Sequence, residues 1–87
     1  MNKPRRKSDY RLEEIDGELL LYHPGRTEIL YCNPTASAIW HLCDGNWTAE
    51  EIISLLRSTY PEAEETIAAE VEEALDLFLK HGAIEFV

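Results

Sequence analysis

The sequence has little cysteine: Cys32 and Cys43 are the two in 87 residues. They lack C-x-x-C spacing and have too few His or Cys neighbours in sequence to complete a four-ligand zinc site, so no metal centre is expected. Each falls on an apolar segment, which suits a small buried thiol in a reducing compartment better than a disulfide. Long hydrophobic runs are missing as well. The longest, at 19–21 and 29–32, are three or four residues, against about 20 for a membrane-crossing helix. The N-terminal stretch Met1-Asn2-Lys3-Pro4-Arg5-Arg6-Lys7-Ser8 is basic but is not followed by the apolar core of an export signal. No membrane partner and a cytoplasmic location are therefore expected.

Glycine is scarce too. The four glycines all stand at turn positions, with no glycine-rich phosphate loop, no HExxH and no nucleophile elbow. The histidines, His23, His41 and His81, are scattered over three separate segments. Neighbouring acids such as Glu50 with Glu51 and Glu72 with Glu73 point in different directions on a helix and cannot share a substrate. No catalytic residue and no cofactor are expected, and the chain reads as a binding module rather than an enzyme. A small hydrolase or isomerase would need a site of another kind.

Positive charge is the third shortage. Four of the eight basic residues, Lys3, Arg5, Arg6 and Lys7, lie within the first eight positions, leaving four basic against seventeen acidic residues in the remainder, a balance of −13. From Asp44 onward only Arg57 and Lys80 oppose eleven acids. Such a field repels phosphate backbones, so nucleic acid is not an expected partner. Residues 1–8 read as a disordered, solvated basic tail and 9–87 as one folded domain. With 45% hydrophobic and 29% charged residues the composition is that of a folded globular chain, and its length leaves room for one small core.

Periodicity predicts an α+β fold, three antiparallel strands followed by three helices. Residues 10–15 and 19–23 are β-prone on either side of Asp16-Gly17, a pair suited to a tight hairpin, and Pro24-Gly25 precedes a third strand over 27–32. Asn33-Pro34 opens a helix of about ten residues, with Ala36, Ile39, Trp40 and Cys43 on one face and Asp44-Gly45 as its stop. Thr48 and Glu51 form a capping box for a second helix, with Ile52, Ile53, Leu56 and Tyr60 inward, ended by Tyr60-Pro61. The third runs from about 64 to 81, with Ile67, Ala68, Val71, Ala74, Leu75, Phe78 and Leu79 as its core stripe and Gly82 as terminus. Residues 83–87 finish extended. Leu77 departs from the stripe, in the company of Glu70, Glu73 and His81.

Leu30, Asn33, Thr35-Ala36, Ile39-Trp40, Leu42, Asp44-Gly45, Thr48, Glu51-Ile52, Val71, Leu75, Leu77 and Gly82-Ala83-Ile84 resemble the PqqD-like family. The most specific part is Asn33-Pro-Thr-Ala-Ser-Ala-Ile-Trp40 followed by Asp44-Gly-Asn-Trp-Thr-Ala-Glu-Glu-Ile52, similar to the family's N-x-T-A-x-x-I-W and D-G-x-x-T-x-x-E-I pattern. The resemblance spans roughly residues 10–84. It implies a winged helix-turn-helix domain that acts as a recognition element for ribosomally synthesised, post-translationally modified peptides (RiPPs), of the lasso peptide, PQQ or another class.

The precursor's leader peptide would add as a strand along the third strand, Arg26, Thr27, Glu28, Ile29, Leu30, Tyr31 and Cys32, facing a helical wall of Glu70, Val71, Glu73, Ala74, Leu77 and His81. A separate maturation enzyme, a leader protease, cyclase or radical SAM enzyme, is the second implied partner. Two other occupations of such a fold compete with this one. A winged-helix DNA-binding regulator would need a basic stripe that the second and third helices lack. A structural or dimerisation subunit would pair the sheet edge with its own copy as a homodimer.

Overall fold

The computed structural model describes residues 2–16 and 18–87, in the order β1 (Pro4–Arg6), β2 (Arg11–Ile15), β3 (Glu18–Tyr22), β4 (Ile29–Cys32), α1 (Pro34–Leu42), α2 (Ala49–Thr59), a 3-10 turn (Pro61–Ala63), α3 (Glu64–Lys80) and β5 (Ile84–Phe86). The α+β class and the sheet of three antiparallel strands with three helices are as the sequence predicts. Asp16 takes a positive φ of 52° at the β2–β3 turn, and its expected partner there, Gly17, lies outside the described residues.

The sheet has the order β2-β3-β4, with Leu12 opposite Leu21 and Leu21 opposite Leu30, so these three leucines share one face. That face covers the core, where Leu21 is fully buried with Ile39, Ile52, Ile67, Val71, Phe78 and Ile84. The other face carries Ile15, Leu20, Tyr22, Ile29 and Tyr31. Trp40 of α1 meets Phe78 of α3 edge to face, with ring centroids 5.3 Å apart, an arrangement the ring quadrupoles favour.

The helix boundaries follow from caps visible in the sequence. The Asn33 side chain accepts the Ala36 amide at 2.7 Å and Pro34 takes the first helical position, where its missing N–H costs nothing. At α2, Thr48 Oγ1 accepts the Glu51 amide at 3.2 Å while the Glu51 carboxylate accepts the Thr48 amide at 2.9 Å. That second bond holds the Glu51 carboxyl below the usual carboxylate range. Gly82, at φ 73°, supplies the left-handed turn after α3.

Two expectations are corrected. The tail expected to be disordered over 1–8 contains β1, which pairs antiparallel with β5 in a second, two-stranded sheet. Charge alone conceals this, because the ordering comes from particular contacts. Pro4 is fully buried, Arg5 pairs with Glu85 at 3.3 Å, and Arg6 Nη1 donates to the carbonyls of Trp40 at 3.0 Å and His41 at 2.8 Å. These are terminal carbonyls of α1, at the negative end of its dipole; the Trp40 carbonyl also accepts the Cys43 amide, and the guanidinium supplies the donor for that of His41. On its other side β1 is bonded to the 43–45 segment, from Arg6 N to Cys43 O at 2.8 Å and from Gly45 N to Pro4 O at 2.9 Å. Gly45 has φ 84°, a conformation that any other residue would adopt under strain.

The second correction is Leu79, placed in the core stripe of α3 but 47% exposed. On a helical wheel Leu77 and Leu79 stand roughly 100° to either side of the buried centre. They are the two flanks of the stripe, and neither belongs to its middle.

Arg6→Ala is expected to cost about 1 kcal/mol of stability, and removal of residues 2–7 to lower the melting temperature further; a solvated tail would leave thermal unfolding unchanged by either. The capping box predicts a pH dependence. Because the Glu51 carboxyl titrates lower folded than unfolded, its contribution is present above the unfolded carboxylate pKa and lost as pH falls through the folded value. The melting-temperature gap between the wild type and Glu51→Ala should therefore be largest near neutral pH and shrink in acid.

Candidate functional site

β4 ends the three-stranded sheet and pairs within the chain only through β3, so among the described residues its outer edge has no strand partner. In an antiparallel ladder every second residue of such a strand turns its N–H and C=O outward, where another extended chain can bond them. Between this edge and α3 lies a groove of about 230 Å³ lined by Tyr31, Asn33, Thr35, Ala36, Glu70, Glu73, Ala74 and Leu77. Tyr31 is 72% exposed and Leu77 39% exposed, so both offer apolar surface to solvent.

The two walls have separate origins. Glu70, Glu73, Ala74 and Leu77 recur at three- and four-residue spacing on α3 and share one flank of it. The core stripe sets the rotation of that flank, since burial of Ile67, Val71, Ala74, Leu75 and Phe78 leaves Leu77 facing β4. The opposite wall is the end of β4 and the first turn of α1, where the Asn33 cap and Pro34 turn the chain from strand to helix.

Of the residues singled out from sequence, Tyr31, Glu70, Glu73, Ala74 and Leu77 come together on this groove. Val71 does not, since it is fully buried. It lies one residue from Glu70 but about 100° around the helix, which turns it into the core. Cys32 is also buried, and burial raises its thiol pKa; Cys43 is pushed up to about 12 by the same cause.

Arg26, Thr27 and Glu28 precede the strand, which begins at Ile29 rather than 27. Two of them instead tie the β3–β4 connection to the end of α3. Arg26 Nη1 donates to Tyr10 Oη at 3.1 Å and to the His81 carbonyl at 3.2 Å, and Glu28 Oε2 meets His81 Nδ1 at 2.7 Å. His81, expected on the binding wall, is thus engaged within the chain.

Asn33, Thr35 and Ala36 line the groove although their sequence signals are those of a cap and a helix face. Their position was available from order alone, because a helix that opens directly after an edge strand must present its first turn at that strand's end. Among the described residues, no group of three His, Cys, Asp or Glu side chains is placed to hold a metal ion, and no helix is long and apolar enough to cross a membrane.

Among solved structures, the fold is similar to that of TbiB1 in complex with the TbiA(beta) leader peptide, with a TM-score of 0.72 at 20% sequence identity over 93% of this chain and 94% of that one. No curated protein sequence is matched by the chain. The model of the family described as coenzyme PQQ synthesis protein D (PqqD) matches residues 18–84, and with most of its length covered this chain belongs to the PqqD family.

Proposed function

We propose that this chain is a RiPP recognition element: it binds the leader peptide of a ribosomally made precursor as an added strand on β4 and holds it beside a separate maturation enzyme. The observation that carries the reading is the unpartnered outer edge of β4, set across a groove from α3. Membership of the PqqD family supports it, as does the likeness in fold to TbiB1, itself bound to a leader peptide.

The physics of strand addition divides the labour. Backbone bonds to the β4 edge supply affinity for any extended chain, and side chains on alternate positions, turned toward α3, meet the groove and decide which chain stays. On this reading Ile29, Leu30, Tyr31 and Cys32 form the rail. Ala74 and Leu77 accept apolar surface, and Glu70 and Glu73 exclude acidic side chains. Val71 contributes only from beneath, by supporting the helix. Arg26, Glu28 and His81 contribute by tying the β3–β4 connection to the end of α3. The domain performs no chemistry; it raises the local concentration of precursor at the enzyme that modifies it.

The acidic surface weighs against a DNA-binding use of the same helices. α2 and α3 carry Arg57 and Lys80 as their only Arg or Lys residues, and the Arg57 side chain donates back to the Glu64 carbonyl.

Calorimetry with candidate leader peptides tests the reading. Leu77→Ala should weaken binding by about 1–2 kcal/mol with little change in thermal stability, because a half-exposed flank is removed and the core is untouched. A leader N-methylated at the amides that bond β4 should lose binding, while methylation at the intervening amides should be tolerated. Equal tolerance at all positions would show that no strand is added, and a doubling of mass without peptide in light scattering would show the edge occupied by a second copy.

A further inference from the structure

The groove carries a charge imbalance that its own chain leaves unanswered. Glu70 and Glu73 lie three residues apart on the α3 wall, within one turn of each other. The facing wall, Tyr31, Asn33, Thr35 and Ala36, is uncharged. Among the described residues the contacts between basic and acidic side chains are Arg5 with Glu85, His23 with Asp9 and His81 with Glu28, and none involves Glu70 or Glu73. The basic side chains beyond the groove's end are engaged elsewhere, Arg26 on Tyr10 and the His81 carbonyl, and the His81 ring on Glu28.

In the open groove water solvates both carboxylates. A strand laid on β4 would displace part of that water, and a carboxylate left without a partner under a docked peptide costs far more than one in solvent. An apolar or acidic side chain at this register leaves that cost in place. A cation relieves it, and the site has a shelf for the rest of a long basic side chain: Leu77 presents apolar surface beside the two acids, and Ala74, largely buried, also lines the groove, so a methylene stem can lie there while its head stays polar.

We propose that the peptide bound along β4 carries a lysine or arginine whose stem lies on Leu77 and Ala74 and whose head group docks between Glu70 and Glu73. The inference rests on the peptide-docking reading above and goes beyond it, from exclusion of acidic residues to selection of a basic one at a defined register.

The test is selection of a displayed library of random peptides, about a dozen residues long, on the intact protein and on Glu70→Gln/Glu73→Gln, with the fold of each checked by thermal unfolding. The wild type should enrich extended peptides with Lys or Arg at one register, and the double variant should lose that preference. For a selected peptide, replacing its basic residue by Gln should weaken binding about tenfold on the wild type and have little effect on the double variant, with a loss in high salt that only the wild type shows. Glu70→Lys/Glu73→Lys should shift enrichment toward acidic residues at the same register. Peptides that perturb the amide resonances of Tyr31 and Leu77 yet show no basic preference would overturn this inference and leave strand docking intact. If no peptide is enriched, or those enriched perturb residues away from β4 and α3, strand docking and this inference fail together.

Discussion

One stripe on one helix organises the molecule. α3 buries Ile67, Val71, Ala74, Leu75 and Phe78, and α1, α2 and β5 all pack against it. Burial of that stripe drives folding by removing apolar area from water, and it also fixes the helix's rotation about its own axis. Once Phe78 is seated against Trp40, the flank bearing Glu70, Glu73 and Leu77 has nowhere to face but β4. The groove is a by-product of core packing.

The chain treats its strands unequally. β5 is paired by β1, and β1 is bonded in turn to the 43–45 segment, so that end of the domain is closed by its own backbone. β4 has a partner on one side alone. An edge of unpaired amides and carbonyls is a hazard that proteins commonly cover or charge. Here it lies open beside an acidic helix, the arrangement that the proposed strand addition requires.

Much of this was legible in the residues. Asn33-Pro34, the Thr48/Glu51 box and Gly82 identify helix ends because each satisfies a backbone group locally, with a side chain or a turn only a few positions away. Leu77 stood out as a large apolar residue off the stripe. The errors share a cause of the opposite kind. The N-terminal run looked solvated because its partners, the carbonyls of Trp40 and His41, are more than thirty residues distant. Leu79 looked buried because the wheel gives the angle of a side chain but not the width of the surface packed against it. Arg26 and Glu28 looked like rail because nothing near them in sequence reveals that His81 is their partner.

The amino-acid sequence by itself determined the three helices and their ends, the order of the three-stranded sheet before them and the acidic character of the last helix, since these depend on contacts within a turn or a hairpin. The tertiary structure alone decided that Val71 turns into the core, that Arg26 and Glu28 bond to His81 instead of lining the groove, and that the basic N-terminus is tied down. Those outcomes depend on how three helices share one core with the sheet, a balance of buried area and backbone pairing summed over the whole chain that no local window contains.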